Sequence, residues 1–152
     1  MAKRIFTRKR FTEKLTDVID LTNLSTTQQN INVREADKPM TFVGGQLDIM
    51  IHSTGNAAHG FIGVFLVREG SSAPTMGMTN GGEILDRPKD LILVIPFRFN
   101  ANTDDVSIYV SKRIKSMRKL EAGDQLYVGA LSDHASAGGF VFGSFISFWK
   151  HI

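Results

Sequence analysis

Beyond residue 14 the chain is written in short runs of β-branched and aromatic residues, separated by clusters of Gly, Asn, Asp, Ser and Pro. That texture constrains the fold more than anything else in the sequence, because such runs favour extended backbone and the clusters favour turns. Residues 15–24 alternate loosely through Val18 and Ile19, and residues 30–34 form a second short extended piece. Within residues 41–53, Leu47, Ile49 and Ile51 fall on one face and Asp48, Met50 and His52 on the other, the period of two that a half-buried strand requires. Residues 61–67 (FIGVFLV) and 91–99 (LILVIPFRF) are apolar on both faces. They predict strands covered on both sides, by the core on one and by a neighbouring sheet, loop or subunit on the other. Pro96 removes a ladder donor and so places its strand at a sheet edge or beside a bulge.

Residues 104–120 separate two chemistries. Val106, Ile108, Val110, Ile114 and Leu120 share the even face, while Tyr109, Arg113, Lys115 and Lys119 share the odd one. Propensity alone allows a helix over 111–121, but the VSIYV run before it argues for one continuing strand. Residues 125–131 and 141–149 complete a set of eight strands. The connector at 54–59 has the length of a hairpin turn, and the small-residue stretch at 70–82 is expected as a long exposed loop. Two architectures accommodate eight short strands: a two-sheet jelly roll, or a sandwich or barrel of the immunoglobulin type. The missing Cys and Trp pattern of immunoglobulin domains favours the first. The expectation is all-β, an eight-stranded single jelly roll over residues 15–152.

The charge is unevenly placed. The chain carries 18 Lys and Arg against 15 Asp and Glu, a net +3. Its first 14 residues hold Lys3, Arg4, Arg8, Lys9, Arg10 and Lys14 against the single acid Glu13, which leaves a body with a small net negative charge. Residues 1–14 therefore read as a short, flexible cationic arm whose natural partner is a polyanion, and the same pattern serves as a nuclear import signal. Phe6 and Phe11 sit among those charges, suited either to stacking on unpaired bases or to packing beneath a neighbouring subunit. The odd face bearing Arg113, Lys115 and Lys119 is a second candidate phosphate surface, although charge on an exposed strand also discourages edge pairing.

Other chemistries find little footing. With no cysteine there is no disulfide, thiolate metal site or cysteine nucleophile. No apolar run approaches the 18 or so residues needed to span a bilayer, and no apolar stretch of the secretory type follows the charged N-terminus, so no membrane partner is expected. His52, His59, His134 and His151 show no metal-ligand spacing. Asp86, Asp90, Asp104 and Asp105 flank strands, where Asp is ordinary turn chemistry. Ser71, Ser72 and Ser132 lie in no nucleophile motif, and Gly81-Gly82 and Gly138-Gly139 in no phosphate loop. No catalytic constellation, metal site or cofactor site is expected.

The stretch KSMRKLEAGDQLY at residues 115–127, followed by a polar loop and the final strand VFGSFISFWK at 141–150, resembles the small single-jelly-roll capsid proteins of circular, replication-initiator-encoding single-stranded DNA viruses. More distantly it is similar to the coat proteins of satellite plant viruses. The shared features are a basic N-terminal arm, eight strands, an R-K-L-x-x-G-D turn between two late strands, and an aromatic last strand. Val67-Arg68-Glu69-Gly70 with the loop after it also fits the resemblance. In the turn itself, Gly123 can take positive φ and Asp124 can bond nearby backbone amides. The resemblance implies a virion coat protein that assembles with itself into an icosahedral shell, in its simplest form of sixty copies, around single-stranded DNA. Two other jelly-roll roles are weighed against it: a trimeric recognition module of the lectin or tumour-necrosis-factor type, and a cupin-like metalloenzyme.

Overall fold

The computed structural model describes residues 8–20, 29–53, 58–73, 90–100, 106–132 and 140–151. They form eight strands: β1 (Arg8–Asp20), β2 (Gln29–Glu35), β3 (Met40–Ser53), β4 (Ala58–Val67), β5 (Leu91–Phe99), β6 (Val106–Leu120), β7 (Gln125–Ser132) and β8 (Phe140–His151). Two four-stranded sheets result, ordered β1-β8-β3-β6 and β2-β7-β4-β5, with every paired neighbour antiparallel. This order is that of a jelly roll. The segment at 106–120 is strand throughout, as its alternation predicts.

The inner faces of the two sheets make one core. Phe42, Leu47, Ile49 and Ile51 of β3 and Phe145 and Trp149 of β8 meet Ile62 and Val64 of β4 and Leu126 and Val128 of β7, all with no exposed surface. Burial of each such side chain contributes about 1.5–3 kcal/mol, which is the main force holding the sheets together. The Trp149 indole N–H donates to Ser147 Oγ at 2.8 Å, so its one polar group is satisfied where no water reaches. Its ring meets Phe42 edge to face at 5.3 Å. Arginines close the two open sides of the sandwich. Arg34 of β2 lies 3.6 Å over the ring of Phe11 on β1, and Arg118 Nη2 of β6 donates to the Leu91 carbonyl of β5 at 3.2 Å.

Two expectations differ from what the fold shows. β1 begins at Arg8, so half of the expected arm is strand, its backbone paired with β8 from Arg8 opposite Lys150 to Leu15 opposite Gly143. Cross-strand hydrogen bonds and inward packing of Phe11 and Leu15 outweigh the preference of so many charges for free solvation. The connector after β3 is not a hairpin, since β3 and β4 lie in different sheets and only β4 and β5 are neighbours both in sequence and in a sheet. On the second face of β4, Phe65 is covered within the chain, one of the expected alternatives: it is fully buried and stacks on Tyr127 at 6.1 Å. β5 is an edge strand, as Pro96 predicts, and exposes Pro96 and Arg98.

Candidate nucleic-acid interface

Cross-strand partners share a face, so the ladder register maps the outer surface of the β1-β8-β3-β6 sheet row by row. In one row Thr41 stands between Lys150 and Lys119. The next row runs Arg10, Phe148, Gly44, Lys115, and the one after it Thr12, Ile146, Gln46, Arg113. Ser144, Asp48 and Ser111 follow, then Phe142, Met50 and Tyr109. Arg8 and Lys14 take the register positions opposite Lys150 and Ser144. The two basic clusters of the sequence are thereby brought to the two rims of one sheet face, β1 on one side and β6 on the other.

Arg10, Arg113, Lys115 and Lys119 are exposed, and among the described residues no carboxylate pairs with any of them. Lys9 falls on the opposite register, facing Trp149, and is not part of this surface. Lys3, Arg4 and Phe6 lie outside the described residues. Phe11 serves neither of its two expected roles: it packs against the chain's own core under Arg34.

Of the acids among the described residues, Asp20 takes the register position opposite Phe140 at the far end of this face, and Asp48 lies within it. Ser111 Oγ donates to its Oδ1 at 2.6 Å and Gln46 Nε2 at 3.1 Å, with the Tyr109 hydroxyl further off at 3.5 Å. The Ser111 bond, then that of Gln46, holds its carboxyl below the ordinary value of 3.8 against a small opposing effect of burial. Asp48 is visible in the sequence only as an outward residue, because its principal donor is 63 positions away.

The strands fan open within the basic half. Between the row Trp149, Phe42, Arg118 and the row Phe148, Gly44, Lys115, β8 advances by one residue, β3 by two and β6 by three. Such a bulge bends the sheet locally. A depression of about 270 Å³ opens there, lined by Val43, Gly44, Gly45, Phe148, Arg113 and Lys115 among others.

At one end of the sandwich the turn after β6 is built as its sequence predicts. Gly123 has φ +91° and Asp124 is 4% exposed. The Asp124 carboxylate accepts from Glu69 N–H at 3.0 Å, Glu121 N–H at 2.9 Å and Arg68 Nη1 at 2.8 Å. Residues 67–70 and 115–127, two of the stretches behind the capsid resemblance, are therefore bonded to each other. Asp90 joins them through Arg68 Nε at 3.5 Å.

Among the described residues no three His, Asp or Glu side chains gather as metal ligands. Asp86, Asp104, Asp105 and His134 lie outside the described residues. His52 Nδ1 is 2.9 Å from Ser107 Oγ, an ordinary cross-strand bond. The surface thus offers cations and exposed rings.

No protein family matches the chain, and no characterised protein matches it in sequence. Solved structures that align with it include a CocE/NonD family hydrolase from Staphylococcus aureus (TM-score 0.45, 13% identity, 97% of this chain and 33% of that one). Dimeric latent PorU from Porphyromonas gingivalis aligns at TM-score 0.43 and 12% identity over 95% of this chain and 13% of its own. The Gx strain of infectious bursal disease virus aligns at TM-score 0.31 and 9% identity over 96% and 42%. The chain thus spans well under half of each of these proteins, and likeness of this degree carries no functional weight.

Proposed function

We propose that the chain is a viral coat protein: a single jelly roll that assembles with its own copies into a small closed shell around single-stranded DNA. The observation that carries this reading is the gathering of Arg10, Arg113, Lys115 and Lys119 on one face of one sheet, from two strands at its opposite edges. The role is binding, not catalysis. Cations on a broad strand face neutralise phosphates without reading sequence and release counterions as they do so. Arg8 and Lys150 share the row of Lys119, Lys14 takes a position in the row of Asp48 on the same register face, and Lys3 and Arg4 precede them in the chain. Shell contacts would draw on apolar surface that the fold leaves outside, above all Met117, 72% exposed on edge strand β6.

The test is expression followed by electron microscopy and a salt titration of nucleic-acid binding. Particles of uniform diameter containing nucleic acid are expected. If the four cations each neutralise one phosphate, log K falls with log salt at a slope of about −3 for a single strand. The Arg113→Glu/Lys115→Glu/Lys119→Glu variant should fold and carry several-fold less nucleic acid. A stable monomer at high concentration, or a trimer free of nucleic acid, would overturn the reading, the latter in favour of a recognition module.

A further inference from the structure

Phosphate neutralisation needs only charge, yet the basic face also carries a shaped depression. Its floor is the bare backbone of Gly44 and Gly45, and the half-buried side chain of Phe148 stands on one side. Arg113 and Lys115 stand on the other, two residues apart on β6 and so about 7 Å along the strand. The ladder keeps this floor empty. A Cβ on Gly44, whose φ is +144°, would lie 2.5 Å from the Ile114 carbonyl oxygen. A side chain at Gly44 would push the strands apart, so glycine here preserves both the bulge and the gap over it.

The row across the sheet is therefore cation, ring, gap, cation: Arg10, Phe148, Gly44, Lys115. A volume of about 270 Å³ admits one flat heterocycle with its sugar. No acid lines the depression and two cations do, which suits a planar group tethered to anions better than an apolar side chain from another copy of the chain.

We infer that the depression seats one unpaired nucleobase of a bound strand, with the base in the gap against Phe148 and the phosphates beside it held by Arg113 and Lys115. The inference rests on the nucleic-acid reading above and deepens it: the face selects for unpaired bases. Stacking on an aromatic side chain tolerates any base and changes affinity by about 5- to 150-fold per base.

The experiment compares the full chain's affinity for labelled oligo(dT) with that for an abasic strand of equal length, by fluorescence anisotropy. The wild type should hold oligo(dT) at least about 5-fold more tightly. Phe148→Leu should abolish that preference while leaving affinity for the abasic strand and the salt slope in place, and Phe148→Trp should retain it. Equal affinity of the wild type for both strands would overturn the base seat and leave phosphate binding standing. A Phe148→Leu variant that keeps the preference would also overturn it. Failure to bind either strand would remove the nucleic-acid reading beneath it.

Discussion

Asp124 gathers three segments that are distant in sequence, those of Arg68 and Glu121 at its carboxylate and that of Ala36 at its backbone carbonyl. Its side chain takes the backbone N–H of Glu69 and of Glu121, its own N–H donates to Glu121 O, and its carbonyl accepts from Ala36 N–H. Burial alone would raise its pKa, but the Glu69 bond, the Arg68 contact and the Glu121 bond together outweigh burial and leave it below 3.8. The sign of the pH effect follows: the carboxylate's contribution is complete above the ordinary value and is lost as pH falls from there through the lowered one. Arg68 is 41% exposed, so its charge adds little and the bonds to backbone carry most of the effect. Asp124→Asn should cost about 2–4 kcal/mol at pH 7, judged by urea unfolding, and should lose less stability than wild type on acidification to pH 3. A variant with wild-type stability at both pH values would show that the Arg68-Glu69 and Glu121-Asp124 segments hold without the carboxylate. Gly123 and Asp124 were legible in the sequence because the needs of a turn are local. Arg68 and Glu69 were visible only as part of a family likeness, since nothing near them says which carboxylate they meet.

At the scale of single elements, β1 joins two properties that the sequence shows apart. Arg8, Arg10, Thr12 and Lys14 occupy one register face, and Lys9, Phe11, Glu13 and Leu15 the other. Charge on both faces hides the period of two, which is why the segment reads as a solvated arm until its pairing with β8 is seen. Strand and charge can be separated by experiment. Deleting residues 2–14 removes the ladder partner of β8 from Lys150 to Ser144 and uncovers an edge whose inner residues are Trp149 and Phe145. Exposed edges of that kind aggregate. The Arg8→Gln/Lys9→Gln/Arg10→Gln/Lys14→Gln variant keeps the strand and removes only the charge. The deletion should precipitate or lose several kcal/mol of stability, whereas the substituted protein should keep its unfolding midpoint and bind less nucleic acid, as a melt and a binding titration would show. Equal stability of the two would mean that β1 contributes nothing to the sandwich. β3 and β6 were the opposite case. Leu47, Ile49 and Ile51 are all fully buried, and Arg113, Lys115 and Lys119 all exposed, because a strict alternation reports its own faces without help from the rest of the fold.

For the whole molecule, the jelly-roll order decides what local sequence cannot. The 54–59 connector has the chemistry of a hairpin turn yet leads from one sheet to the other, since length and turn residues carry no information about sheet membership. The meeting of the two basic clusters was hidden for the same reason: it depends on the register of β1 with β8, β8 with β3 and β3 with β6, three long-range pairings in series. Such a fold has almost no local ladder on which to start. Only β4 and β5 pair as consecutive strands, while β8 must find β1 from the other end of the chain. Loop-closure entropy comes before any of these contacts is rewarded, which slows folding. Trp149 is the single tryptophan, lies on β8 and has no exposed surface, so its emission reports closure of the core around the strand that links β1 to β3. In stopped-flow refolding at protein concentrations too low for assembly, the Trp149 signal should reach its native value in milliseconds to seconds. A change completed within microseconds would mean that the tryptophan is buried by local collapse before the jelly roll forms, and that β8 does not wait for β1.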